Sequence, residues 1–277
     1  MPNHPRLRIS LLLALATAFP AVTAHAPASV ASLEDIRKAF DAVPCDDDAR
    51  LAAVQALFEQ AGAPAETIRT EAYADVANLV VVKPGTSAEK IVIGAHYDKT
   101  AQGCGAVDNW SGQVAMTQLY RTLRDVPLRK TLVFVAFGRE EQGLVGSRAM
   151  TKAIGKDQRA DYCAMINIDS LGLGPPQVAD NMSSKKLAQF TGALAKEMEI
   201  PFAHASIGRA DSDSSAFVAK KIPAVTIHGL NDDWREILHS GHDQPAKVNP
   251  GSVYQGYRLA LGMVVRLDQA DCDAYRQ

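Results

Sequence analysis

The sequence predicts an α/β fold, a three-layer sandwich in which a central, mostly parallel (mixed) sheet lies between helices. Four short apolar runs rich in β-branched residues alternate with stretches of helical pattern, and they cover residues 91–95, 131–137, 163–168 and 224–227. Runs without polar alternation indicate strands buried on both faces, which is typical of parallel sheets covered by helices. No repeat or low-complexity linker interrupts residues 32–277, so one domain is sufficient.

The other predicted elements surround these four strands. A fifth apolar run at residues 77–82 stops at Pro84-Gly85, and we expect it to form a hairpin with residues 91–95. Helical patterns cover residues 33–40, 49–60, 111–123, 184–199 and 252–267. In the last two, apolar side chains recur every three or four residues, which predicts faces that pack on the core rather than ligand sites.

Composition and charge exclude several classes of protein. The 277 residues include 29 basic and 31 acidic side chains, for a formal net charge of −2, and 47% are hydrophobic. A chain this apolar can bury a substantial core and does not have the composition of a disordered protein. Because the charge is nearly balanced and no basic stripe or tail is present, nucleic acid and anionic membrane surfaces are not expected partners.

The first 26 residues have the pattern of a secretory signal peptide. Arg6 and Arg8 precede an apolar run at residues 9–19, and small residues follow around Ala24 and Ala26, where we expect cleavage. The run is shorter than the roughly 20 residues that span a bilayer, so stable membrane insertion of the mature protein is not expected. We therefore predict a periplasmic or secreted protein whose single domain comprises residues 27–277.

The cysteines predict a pair of disulfides. All four, Cys45, Cys104, Cys163 and Cys272, follow the predicted signal peptide, and none has the Cys-x-x-Cys spacing of a zinc ribbon or redox site. Four cysteines allow three connectivities. We favour Cys45–Cys272, which would tie the two termini together, and hence Cys104–Cys163; the other pairings and free thiols remain open at this point.

Polar side chains follow each of the four apolar runs. They are, in chain order, His96 with Asp98, Glu140 with Glu141, Asp169 and, a little beyond the fourth run, His239. Because sites in open α/β sheets form outside the carboxyl ends of the strands, these groups are expected to converge. Several carboxylates cannot stay ionised together without cations. An oxygen and nitrogen ligand set without thiolates suits Zn²⁺ and tolerates Co²⁺ or Mn²⁺.

Five motifs, in order along residues 75–265, resemble those of the M28 metallopeptidases, the co-catalytic zinc aminopeptidases and their relatives. The strings are Ala95-His96-Tyr97-Asp98, Gly105-Ala106-Val107-Asp108-Asn109-Trp110-Ser111-Gly112, Gly138-Arg139-Glu140-Glu141-Gln142-Gly143-Leu144-Val145-Gly146-Ser147, Asn167-Ile168-Asp169-Ser170-Leu171-Gly172 and Leu238-His239-Ser240-Gly241-His242-Asp243. Any one string is a weak signal, whereas five linked strings are specific.

The resemblance implies a fold of the zinc-peptidase (phosphorylase/hydrolase-like) type and a role for each motif residue. His96 and Asp169 would hold one Zn²⁺, Glu141 and His239 a second, and Asp108 would bridge the two.

The same resemblance implies catalytic roles for two further residues and one unusual peptide bond. Asp98 would orient the His96 ring and tune its basicity. Glu140 would be the general base. A cis peptide bond between Asp108 and Asn109 is also implied.

Other roles are possible for several of these residues. Asp108 precedes the helix predicted from Ser111 and is a potential helix cap. Glu140 and Glu141 have the alternative of solvated loop carboxylates, and His242 competes with His239 as a ligand. The family's His-x-x-x-Asp spacing, met here by His239 and Asp243, favours His239.

One segment departs from the family pattern. Many relatives have Ser-Asp-His near the pocket, where this chain has Ser212-Asp213-Ser214. The five expected ligands are unaffected, but the contacts of this wall with substrate and the residue that stabilises the oxyanion are not assigned by the resemblance.

Together the motifs predict an exported aminopeptidase that acts on peptides with a free N-terminus. The nearest alternative is a glutaminyl cyclase of the same clan, which would need one zinc and a cyclising pocket. A dipeptidase or carboxypeptidase would keep the same metals and change the pocket, and a silent relative would bind without turnover. The sequence assigns neither a preferred N-terminal residue nor an oligomeric state.

Overall fold

A computed structural model of the chain describes residue 1 and residues 29–276. The predicted signal peptide and its cleavage site lie outside the described residues, apart from Met1. Within the described range no helix is both long enough and apolar enough to cross a bilayer.

The described residues form eight strands and eight α-helices. The strands are β1 (Ile68–Tyr73), β2 (Val76–Lys83), β3 (Lys90–His96), β4 (Thr131–Phe137), β5 (Tyr162–Ile168), β6 (Gln177–Ala179), β7 (Ala203–Ala205) and β8 (Ala224–His228). The helices are α1 (Leu33–Lys38), α2 (Asp47–Gln60), α3 (Ser111–Leu123), α4 (Val145–Ala153), α5 (Lys185–Glu197), α6 (Ser214–Val218), α7 (Trp234–Ile237) and α8 (Pro250–Gln269). Single 3₁₀ turns cover Ala65–Thr67, Lys156–Asp161, Asp180–Met182 and Pro245–Lys247, and a wider turn covers Ala106–Trp110.

All strands belong to one mixed sheet in the order β1-β2-β4-β3-β5-β8-β6-β7. Its centre, β4-β3-β5-β8, is parallel throughout, whereas β1, β2 and β6 join antiparallel neighbours. The carboxyl ends of the central strands therefore open at one edge of the sheet.

The sheet is buried on both faces, as its apolar runs predict. In β4, Leu132 and Phe134 belong to one hydrophobic cluster, which also contains the inward faces of α2, α3, α5 and α8. Val133 and Val135 point to the opposite side and join a smaller cluster with residues of α4 and α6. Side chains alternate across a strand with period two, so one apolar run supplies both cores. The predicted three-layer α/β sandwich is confirmed.

The predicted hairpin between residues 77–82 and 91–95 is wrong. Strand β2 pairs with β1 on one side and with β4 on the other, while β3 lies between β4 and β5. The hairpin partner of β2 is β1, a partly exposed edge strand of sequence Ile-Arg-Thr-Glu-Ala-Tyr. Because β1 faces solvent over much of its length, it has no apolar run by which the sequence would reveal it.

The predicted disulfide pairing is also wrong. The bridges are Cys45–Cys104 and Cys163–Cys272, and no cysteine of the described chain is free. Cys104 follows the carboxyl end of β3, whereas Cys163 lies at the start of β5, which runs parallel to β3. These two cysteines therefore lie near opposite ends of the parallel strands, separated by a strand length of about 23 Å for seven residues at ~3.3 Å each.

Candidate active site

The predicted site residues converge at the carboxyl edge of the parallel strands. His96 ends β3, Glu140 and Glu141 follow β4, Asp169 follows β5, and His239 follows α7. A cavity of about 100 Å³ opens at this edge, lined by Asp108, both glutamates, Asp169 and His239 among others. His96 and Asp98 lie beneath it, 1% and 3% exposed.

Two groups of three side chains share Asp108. One oxygen of Asp108 lies 3.1 Å from His96 Nε2, and the same His96 atom lies 3.4 Å from Asp169 Oδ1. The second oxygen of Asp108 lies 3.0 Å from His239 Nε2, which is 3.1 Å from Glu141 Oε2. In each group the potential ligand atoms lie within 4.8 Å of one another. Asp108 does not cap α3, whose first residue is preceded by Trp110 without a side-chain cap.

The chemistry of these groups fits divalent cations. Hydrogen bonds to Asp108 and Glu141 raise the pKa of His239 to about 10, so without metal a proton supplies the positive charge. Burial disfavours a charged His96, but the nearby carboxylates of Glu140 and Asp169 outweigh it and raise the pKa of His96 well above its usual range. Glu141 Oε1 is buried without a hydrogen-bond partner in the described chain, which leaves a lone pair for a ligand. Two divalent cations in place of the protons on His96 and His239 would balance the charge of the surrounding carboxylates.

Asp98 organises the loop after β4. Its oxygens accept hydrogen bonds from the backbone N–H groups of Glu140 and Glu141, at 2.9 and 3.1 Å. His96 Nδ1 lies 3.6 Å from the same carboxylate and 3.1 Å from the carbonyl oxygen of Asp98. Asp98 is thus in contact with both the imidazole and the paired glutamates, a wider role than the sequence indicates.

Glu140 and Glu141 are not solvated loop residues. Glu140 is 9% exposed, and the side chain of Glu141 is 10% exposed. Burial raises the pKa of Glu140 well above its usual range, and nearby His96 only partly opposes this. Without cations the buried carboxyl therefore tends to hold a proton, whereas two bound cations would favour the carboxylate, the form that can accept a proton during a reaction.

The segment around His239 distinguishes it from His242. The ring of His242 contacts the carbonyl of Glu236, and the residue is exposed. Asp243, four residues after His239, accepts hydrogen bonds from the N–H groups of Val107 (2.7 Å) and Asp108 (3.0 Å). The His-x-x-x-Asp spacing is the sequence signal for this support, but the spacing alone does not show that Asp243 binds the backbone of Asp108.

Asn109 connects the Asp108 turn to the end of β5. Its side chain donates to the carbonyl of Ile168 at 2.9 Å and accepts from the N–H of Ser170 at 3.2 Å. The peptide bond between Asp108 and Asn109 is cis, as the resemblance implies. These hydrogen bonds between Asn109 and the backbone on either side of Asp169 therefore fix Asp108 relative to Asp169. No single motif reveals them.

The Ser-Asp-Ser segment lies behind Asp169. Ser212 donates a 2.5 Å hydrogen bond to Asp169 Oδ2 and also lines the cavity. Asp213 is fully buried, and neither of its oxygens has a hydrogen-bond partner among the described residues. Burial raises the pKa of Asp213 to about 7. Ser214, where many relatives have His, donates to the carbonyl of Met182 instead.

Part of the cavity wall is apolar. It is formed by Met182, Ile207, Ala210, Leu230, Trp234 and Leu238. His228 also lines the cavity and is 2% exposed. Burial lowers its pKa to about 4, so its ring is neutral near pH 7.

Comparison with known proteins agrees with a metallopeptidase site at this position. Residues 78–264 match the model of peptidase family M28. A probable leucine aminopeptidase of Arthroderma otae is 27% identical over 215 residues, which are 70% of this chain and 57% of that protein. The chain thus spans just over half the length of this curated relative.

Solved structures share the fold. The zinc aminopeptidase BSAP of Bacillus subtilis superposes with a TM-score of 0.63 at 21% identity, over 73% of this chain and 53% of that one. A glutaminyl cyclase of an Acidobacteriales bacterium gives 0.74 at 18% identity, over 92% and 99%. The five motifs, the shared sheet and the family match over residues 78–264 lead to one conclusion: this chain belongs to peptidase family M28.

Proposed function

We propose that this protein is an aminopeptidase with two zinc ions, which removes the N-terminal residue from peptides. The observation that carries the proposal is the pair of three-residue groups joined by Asp108, with the buried Glu140 beside them. His96 and Asp169 would hold one ion, Glu141 and His239 the other, and Asp108 both. When bound, the ions would polarise the scissile carbonyl and acidify the attacking water.

Glu140 supplies the proton transfers of this reaction. Its carboxylate accepts a proton from the attacking water and returns it to the nitrogen of the leaving amine, so that one C–N bond breaks and one C–O bond forms. Asp98 fixes the backbone of Glu140 through the hydrogen bond at 2.9 Å. No serine nucleophile or covalent intermediate is required.

The cavity also suits a substrate with a free α-amino group, which one of the two proposed ions could hold in its neutral form. Asp108, Glu140, Glu141 and Asp169 all line the cavity, and no lysine or arginine is among its lining residues in the described chain. The described lining therefore has no lysine or arginine side chain to repel the positively charged α-amino group as it approaches. An internal peptide bond has no such group nearby, which explains the preference for the chain end.

The apolar wall indicates which first residue is preferred. Ile207, Leu230 and Trp234 present hydrophobic surface next to the reacting groups. We therefore propose a preference for apolar first residues such as leucine or methionine over acidic or basic ones. The name of the fungal relative, a probable leucine aminopeptidase, agrees with this proposal.

The test is hydrolysis of a panel of aminoacyl p-nitroanilides by mature protein and by Glu140→Gln, with metal content measured for both. We expect about two zinc ions in each protein, turnover of leucyl and methionyl substrates by the wild type, and loss of turnover in the variant. Full metal loading without turnover of any free-amino substrate would contradict the proposal.

A glutaminyl cyclase is the second candidate, because that structure is covered over 99% of its length. A glutaminyl cyclase would bind one zinc ion per chain and would form pyroglutamate from an N-terminal glutamine. The second three-residue group around Asp108 favours hydrolysis, since a one-metal site would not use it. Zinc binding without hydrolysis or cyclisation would instead indicate a silent binding module.

We further propose export to the periplasm or the medium after cleavage near Ala24 or Ala26. The two disulfides support this proposal, because such bonds persist mainly in oxidising compartments. N-terminal sequencing of protein from the producing cells tests it. An intact Met1 on active protein would contradict it.

A further inference from the structure

Arg50 lies fully buried near the start of α2, before the segment that matches the M28 family. Its guanidinium donates hydrogen bonds to the carbonyl oxygens of Pro44 (3.1 Å), Cys104 (2.9 Å) and Gly105 (3.2 Å), and also to that of Tyr97. Its carbon Cζ lies 5.3 Å from the centroid of the Trp110 ring. One side chain thus ties together three separate stretches of backbone.

Two of those stretches adjoin proposed metal ligands. Tyr97 lies between His96 and Asp98, and Gly105 lies three residues before Asp108. Residues 97–105 therefore make up most of the loop that connects His96 to Asp108. Gly105 has a φ of +56°, and a Cβ there would lie 2.7 Å from the carbonyl oxygen of Asp108, so the backbone is closely packed at this point.

Two further bonds join the start of α2 and the residue Cys45 just before it to this loop. Asp47 Oδ1 accepts a hydrogen bond from the backbone N–H of Lys99 at 2.9 Å. The disulfide Cys45–Cys104 adds a covalent link. We call Cys45, Asp47 and Arg50 the α2 clamp.

The buried charge of Arg50 is compensated by carboxylates that lie at a distance. Buried charges are costly unless partners compensate them, and Arg50 makes no direct ion pair within the described chain. Burial lowers the pKa of Arg50, while the charges of Asp47, Asp108 and Asp98 oppose that shift. The positive charge itself would repel a bound cation, so the support that Arg50 gives to the site comes from its hydrogen bonds.

We propose that Arg50 is a positioning residue for the metal centre, and that the α2 clamp holds loop 97–105 so that His96 and Asp108 are already placed when metal binds. This proposal rests on the proposed function, because it takes His96 and Asp108 as ligands. Residues that support metal ligands typically change metal affinity or activity by about 10- to 100-fold when replaced.

The test compares zinc affinity, measured by competition with a chromophoric chelator, in wild type, Arg50→Met and Arg50→Lys. Arg276→Met is the matched control: Arg276 also donates to three carbonyls, those of Arg159, Ala160 and Tyr162, but at the amino end of β5, away from the site. We expect about 10- to 100-fold weaker zinc binding in Arg50→Met and wild-type affinity in Arg276→Met. Arg50→Lys keeps the charge but cannot span three stretches, so an intermediate affinity is expected.

Equal zinc affinity in wild type and both Arg50 variants would overturn the proposal. If Arg50→Met does not fold, the decision falls to Arg50→Lys and to Cys45→Ser/Cys104→Ser, compared with Cys163→Ser/Cys272→Ser, which removes the bridge remote from the loop. Weaker zinc binding in the first double variant only would support the clamp, and equal binding in both would refute it. A wild-type protein that binds no zinc would refute the proposed function instead.

Discussion

Replacement of Asp98 by Asn tests whether the paired glutamates must be held in place for turnover. Asp98 accepts hydrogen bonds from two consecutive backbone N–H groups, at 2.9 and 3.1 Å, and is 3% exposed. Asparagine keeps one acceptor and turns an NH₂ group toward the other N–H. The change removes one charge-assisted hydrogen bond and leaves a buried donor unpaired, which together cost about 3 kcal/mol.

Asp268 offers a matched control at the other end of β4. Its oxygens accept from the backbone N–H groups of Arg129 (3.2 Å) and Lys130 (2.7 Å), and it is 1% exposed. Asp268→Asn should therefore cost a similar free energy of unfolding, about 3 kcal/mol. For a chain of this size that corresponds to a decrease in Tm of roughly 6–12 °C in both variants.

The two variants should differ in catalysis. We expect kcat/KM for a leucyl anilide to fall about 10- to 100-fold in Asp98→Asn, since Asp98 supports both the proposed base and a proposed ligand. Asp268→Asn should retain wild-type kcat/KM at a temperature where it is folded. Thermal denaturation and steady-state kinetics on the same preparations supply the data. Equal losses of activity, or full activity in Asp98→Asn, would refute the reasoning.

Three further outcomes follow from the same site. Glu140→Gln should lower kcat by about 100- to 10,000-fold while the zinc content is unchanged; loss of zinc would instead make Glu140 a metal ligand. In metal-free protein kept in chelator, the pKa of Asp213 is about 7 in the folded state, against 3.8 for an ordinary aspartate. The folded protein therefore binds this proton more tightly than the unfolded chain does, and the stability that results below pH 4 should be lost as the pH rises through 7. Urea unfolding should show that loss in wild type and a smaller one in Asp213→Asn; equal pH profiles would contradict it. Zinc at 1,000 times its Kd should raise the unfolding free energy by about 4 kcal/mol per site, and an unchanged Tm on zinc addition would argue against a folded-state metal site.

The sequence determined the layers of this fold and the residues that carry the chemistry. Apolar runs such as residues 131–137 predict strands buried on both faces, because alternate side chains must enter two different cores. Polar residues at the ends of these runs, such as His96 and Asp169, are expected to meet because parallel strands end at one edge. These inferences depend on local pattern and on the general geometry of parallel sheets.

Tertiary structure alone decided which segments are neighbours. The place of β2 between β1 and β4, and the bridges Cys45–Cys104 and Cys163–Cys272, depend on strand order and direction, which no local pattern encodes. The same holds for the supports of the site. Arg50 and Asp243 form hydrogen bonds with backbone groups that are distant in sequence. Every residue type has a backbone carbonyl, so the identity of the partner residue does not reveal such a contact.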